Sequence, residues 1–81
     1  MIKVNYDKNA DAAYIYFSEF PVDSVEKTYP CDPQEVSGMI NLDFNGGKLV
    51  GIEVMDASKK LPKEVLESAT RIDKWLFQRW D

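Results

Sequence analysis

The stretch "LDFNGGKLVGIEVMD", residues 42–56, constrains this chain more than any other, because it joins two alternating runs through Asn45-Gly46-Gly47. An antiparallel pair with one buried face has little freedom of register, since a slip of one residue turns every side chain over. A loop over Asn45, Gly46 and Gly47 sets Phe44 opposite Lys48, Leu42 opposite Val50 and Ile40 opposite Ile52, so the apolar residues share a face. A shorter Asn45-Gly46 turn would split that set between the faces. The alternation therefore predicts a three-residue loop, whose glycines supply the positive φ that a type I turn with a bulge requires. A phosphate-binding loop is excluded. That motif needs Ser or Thr after its lysine and a helix after its glycines, whereas Leu49 and a strand follow Lys48 here.

The other face of this hairpin is expected to carry Met39, Asn41 and Asp43 beside Leu49, Gly51, Glu53 and Met55. In the three-residue register Gly51 lies opposite Asn41, which leaves a shallow gap flanked by Asp43 and Glu53. A glycine inside a strand often marks a close approach. Asp43, Gly51 and Glu53 are thus a candidate polar site, set against the plainer expectation that such carboxylates are solvated or paired with lysines.

Upstream, "IKVNY" alternates Ile2, Val4 and Tyr6 with Lys3 and Asn5, and "AAYIYF" is rich in strand formers. The turn formers of "DKNAD" join them into a first hairpin. "SVEKTY" reads as a weaker third strand and "YPCDPQE" as a proline-bounded loop. The expected fold is α+β: an antiparallel β-meander of four to five strands over residues 1–56, with one C-terminal helix over 62–80 packed on one face. Its 81 residues make a single domain at most. Ile15, Phe17, Ile40, Leu42, Val50, Ile52 and Val54 are the expected sheet side of the core.

In the predicted helix, Pro62 suits the first turn and Glu64 meets the dipole favourably. At about 100° per residue, Leu61, Val65, Ala69, Ile72 and Leu76 form one stripe over the sheet. Leu66 and Phe77 lie on one flank, Trp75 on the other, and Trp80 near the end. Such a surface is wider than one sheet face covers. Aromatic residues are enriched at interface cores and two-fold pairing is the commonest assembly. Leu66, Trp75, Phe77 and Trp80 are therefore candidate interface residues of a homodimer, against the alternative that the helix bends near 68–70 and folds them back.

Several chemistries can be set aside from composition. The formal charge of −4 disfavours nucleic acid, whose binding rests on phosphate neutralisation, and an anionic membrane surface; a basic protein partner fits better. No apolar run approaches the ~20 residues of a membrane span, and the N-terminus lacks a signal-peptide layout, so a cytoplasmic location is expected. There is no histidine, which removes Ser-His and Cys-His pairs and the usual zinc sets. Cys31, the only cysteine, cannot form an internal disulfide, and Asp32 and Glu35 nearby oppose a reactive thiolate. Asp7, Asn9 and Asp11 have the spacing that opens a calcium loop. Ala12 and Ser18 occupy the places of its required glycine and glutamate, so an Asx-type turn is expected there.

Taken together, "YDKNADAAYIYFS", "GMINLDFNGGKLVGIEVMDAS" and the following "LP" resemble a family of small prokaryotic proteins, domain of unknown function 2283. The resemblance covers about residues 2–62 and is carried by Tyr6, Asp7, Asp11, Tyr14, Ile15, Asp43, Gly51, Ile52, Glu53, Ala57 and Ser58. The tail "RIDKWLFQRWD" lies beyond it. The resemblance implies a small stand-alone intracellular protein and brings no activity, cofactor or catalytic residues. The expected function is a non-enzymatic protein-interaction module that homodimerises. Two alternatives stand beside it: an antitoxin-like acidic partner of a basic protein, and a small ligand- or metal-binding module using Asp7, Asp11, Asp43 and Glu53.

Overall fold

A computed structural model of the chain describes residues 2–17, 25–31 and 39–71. Among these, strands β1 (Lys3–Asp7) and β2 (Ala12–Tyr16) form the first hairpin, and β3 (Lys27–Cys31), β4 (Ile40–Asn45) and β5 (Lys48–Met55) form a meander. Two short helices follow, α1 (Ala57–Lys60) and α2 (Lys63–Ser68), and the chain then re-enters the sheet as β6 (Thr70–Arg71). All six strands share one sheet, in the order β3-β4-β5-β2-β1-β6.

The α+β expectation is met in its elements, but the single antiparallel meander is corrected. β2 pairs with β5 rather than with β3, and β6 runs parallel to β1. The strands sort by what they can bury. β2 begins with Ala12 and Ala13, both fully buried, and their small side chains let neighbours close in from both sides. β3 is exposed at every residue and carries Pro30, which cannot donate to a ladder and belongs at an edge.

The hairpin between β4 and β5 also corrects the sequence reading. Asn45 pairs with Lys48, so Gly46 and Gly47 alone make the turn, with φ of +60° and +78°. Positive φ at both central residues is the mark of a type I′ hairpin turn, which explains two glycines in succession. A bulge then shifts the register: Phe44 pairs with Leu49, Asp43 with Gly51, and Leu42 with Ile52. The extra residue restores the apolar pairing that an uninterrupted two-residue turn would lose. Gly51 accordingly faces Asp43, not Asn41, and Asn41 faces Glu53.

The helix expected over 62–80 is broken. Leu61 is extended (φ −103°, ψ 145°) and closes α1, as a residue before proline tends to be. Pro62 lies just before the first turn of α2, and Glu64 lies within it. The helix stops at Ser68, and Ala69 is extended (φ −71°, ψ 152°). Asn5 and Tyr6 then pair with Thr70 and Arg71, and the Arg71 guanidinium sits 5.3 Å from the centre of the Tyr6 ring. This edge pairing and cation–π contact compete with another helical turn at a Ser-Ala-Thr sequence of modest helix propensity. Ile72, Trp75, Leu76, Phe77 and Trp80 lie outside the described residues.

The core sits between the sheet and the helices. Tyr6, Ala13, Val54 and Ala57 are buried there, with Ile52, Leu61, Leu66 and Ala69 packed against them. Of the expected core, Val50 and Val54 are buried, while Ile15, Phe17, Ile40, Leu42 and Ile52 are half-buried. Among the described residues, no helix is long and apolar enough to cross a membrane.

Candidate functional site

Period two places Asn5, Asp7, Tyr14, Tyr16, Gly51, Glu53, Asn41, Asp43 and Thr28 on the face opposite the helices. This face was expected to be solvated, and its Gly51 gap open. Both expectations are corrected. Asp43 is fully buried, and Asn5, Tyr14 and Glu53 are at most 7% exposed. The gap is filled by Tyr14, whose ring crosses Gly51 so closely that a Cβ there would lie 2.3 Å from the tyrosine oxygen. The absent side chain makes room for a tyrosine of the same sheet.

That crossing brings the Tyr14 hydroxyl to Asp43 Oδ2, to which it donates. Thr28 Oγ1 donates to Oδ1 of the same carboxylate at 2.6 Å. Asp43 therefore joins β2, β4 and the edge strand β3 through hydroxyls, and a buried carboxyl so bonded would be costly to strip of either partner. Beside it, Asn41 Nδ2 donates to Glu53 Oε1 at 2.6 Å. Tyr16 stacks obliquely on Tyr14 with ring centroids 4.6 Å apart, and Asn5 Nδ2 reaches the Tyr16 hydroxyl at 3.5 Å. Asn5 Oδ1 is buried with no hydrogen-bond partner among the described residues.

Asp7 and Asp11 do something else. Asp7 Oδ1 accepts the backbone N–H groups of Asn9 (2.9 Å) and Ala10 (3.2 Å), an Asx turn that closes the first hairpin. Asp11, at φ +51°, reaches across to α1. Its Oδ1 accepts from the Tyr6 hydroxyl at 2.8 Å and the Ser58 backbone N–H at 3.0 Å, and its Oδ2 accepts from Ser58 Oγ at 2.7 Å. Its own carbonyl accepts from the Ala57 N–H at 2.9 Å. A residue from a distant hairpin thus caps a helix whose own Asp56 makes no side-chain cap.

This clamp shifts two acidities. Partial burial acts to raise the Asp11 pKa, but the Ser58 hydroxyl, Tyr6, the Ser58 N–H and Lys59 outweigh it and hold the carboxyl below its ordinary value. Tyr6 moves up, chiefly because its hydroxyl donates to Asp11 and secondly because it is desolvated.

The four carboxylates of the ligand-site alternative are therefore distributed. Asp43 and Glu53 lie in the polar face, Asp7 closes a turn and Asp11 clamps a helix. Among the described residues, no three acidic or thiol groups come together as metal ligands would. Leu66 packs on the chain's own core, while Trp75, Phe77 and Trp80 lie outside the described residues.

Sequence reasoning missed Tyr29. It is 50% exposed, meets Phe44 edge-to-face at a centroid distance of 5.6 Å, and flanks an open depression of about 340 Å³ lined by Glu26, Lys27, Tyr29, Phe44 and Gly47. Leu49, opposite Phe44, is 37% exposed. The signal was present in "EKTYPC", where an aromatic alternates with lysine in a strand too polar for the sheet centre.

Fold and residues together define a small sheet protein stapled by buried carboxylates. The chain belongs to the family described as a protein of unknown function (DUF2283), whose model matches residues 3–58. The match runs from β1 to the first turn of α1, so it contains the Tyr14–Asp43 crossing and the Asp11–Ser58 clamp and ends before α2 and β6. No curated protein and no solved structure matches the chain.

Proposed function

We propose that this chain is a non-enzymatic protein-interaction module that works as a homodimer. The observation that carries the reading is the unequal cover of one sheet face. The helices pack where Tyr6, Ala13 and Val54 emerge, whereas at the β3–β4 end the same face leaves Tyr29 half in solvent. A small domain gains by covering an exposed aromatic patch, and such patches mark interaction sites. The carboxylates are committed to holding strands and a helix in place, which suits a scaffold better than acid–base chemistry.

Light scattering coupled to size exclusion tests this. The native protein should report about twice its 9.3 kDa chain mass at micromolar concentration, and a single-chain mass at all concentrations would remove the reading.

A further inference from the structure

We infer that the β3–β4 end of the sheet is the surface on which the second copy docks, about a two-fold axis that sets Tyr29 of each protomer into the depression of the other. The inference rests on the homodimer reading above and adds its location and chemistry. A two-fold interface is made of one patch meeting itself, so a patch that can form one must carry both halves of each contact.

This patch does so in shape. The half-exposed Tyr29 ring forms one wall of an open depression of about 340 Å³ that Phe44 also lines. It does so in charge, because Glu26 and Lys27 line the same depression and a two-fold rotation can bring the acid of one copy to the lysine of the other. A strongly basic or acidic partner would call for a patch of one sign. The chain as a whole carries −4 and two copies repel weakly at a distance, but this patch is locally balanced. Pairing through the open backbone edge of β3 is disfavoured by Pro30 in that strand. Contact is therefore made by side chains on the sheet face. Tyrosine suits such a role, since it offers a large rigid surface with a polar tip.

The test uses the full-length chain and two variants compared by light scattering and by sedimentation equilibrium. Tyr29→Glu places a charge at the centre of the patch. Ala10→Glu adds the same charge on the exposed turn of the first hairpin. Tyr29 is exposed enough that both variants should keep the native circular dichroism spectrum and melting temperature. The inference expects Tyr29→Glu to weaken dimerisation roughly tenfold or more, as loss of a central aromatic anchor does, with Ala10→Glu unchanged. A native dimer indifferent to Tyr29→Glu would overturn the location while leaving the homodimer reading intact. Equal weakening by both variants would also overturn it, because net charge would be the cause. A native monomer would remove the reading itself.

Discussion

In the β1–β2–β5 half of the sheet the chain supplies its own cover. Both helices pack there, β6 closes the β1 edge, and Asp11 fastens α1 from the opposite end of the sequence. In the β3–β4 half the edge strand is exposed along its length, and an aromatic ring stands in solvent. Apolarity does not sort the two halves. The most completely buried large side chain described is the carboxylate of Asp43, while Tyr29 is half exposed. What distinguishes them is whether each group has a partner in its own chain. Asp43 finds two hydroxyl donors, Thr28 on the neighbouring β3 and Tyr14 on β2 beyond β5; Tyr29, among the described residues, meets the edge of Phe44.

The sharpest way to break this contrast is to disturb the joint between the halves. Gly51→Ala drives a methyl group into Tyr14 and forces the ring away from Asp43. Overpacking and a buried acceptor stripped of its donor add, so a loss of about 3 kcal/mol is expected in urea unfolding. Near-native stability would mean that Tyr14 does not cross Gly51. Tyr14→Phe isolates the hydroxyl alone and should cost about 2 kcal/mol, in the range for a buried acceptor left short of a donor. Thr28→Val removes the donor from the edge strand, where solvent can substitute, and should cost less, about 1 kcal/mol.

The Asp11 clamp belongs wholly to the covered half and titrates. The folded pKa of Asp11 lies below its ordinary value, so its contribution is present above the unfolded pKa and is lost as pH falls through the folded one. Tyr6 has the opposite sign. Its raised pKa contributes below the ordinary tyrosine value and is lost as pH climbs through the folded one. Asp11→Asn should therefore cost about 1 kcal/mol near neutrality, as loss of a helix cap does, and should flatten the acid limb of the stability profile. An acid limb unchanged in Asp11→Asn would show that the clamp is not what titrates there.

How much of this could be read in advance depends on what alternation encodes. The first hairpin, the Asx turn at Asp7 and the two strands around Gly46-Gly47 follow from local chemistry and were legible. The bulge between Asp43 and Phe44 was not, because beyond it the register differs from the three-residue loop by two residues and leaves residues 40–43 and 51–54 on the faces that alternation assigns them. The pairing of β2 with β5 is a long-range choice that period two cannot express. Glu53 and Asp43 looked like surface charges because polar positions in an alternating strand usually face water; their burial depends on Tyr14, Thr28 and Asn41 arriving from other strands. The end of α2 depended on Thr70 and Arg71 finding β1, a tertiary preference that overrode an amphipathic stripe.

The claim that the open half is completed by a second copy is tested most directly by an amide NMR dilution series on the isotope-labelled native chain. Dilution from millimolar to low micromolar should move the resonances of Lys27, Tyr29, Phe44 and Gly47 along one binding curve while those of Tyr6, Asp11, Ala13 and Ser58 stay in place. Resonances of the β3–β4 end that do not move with concentration, or movement confined to the covered half, would contradict it.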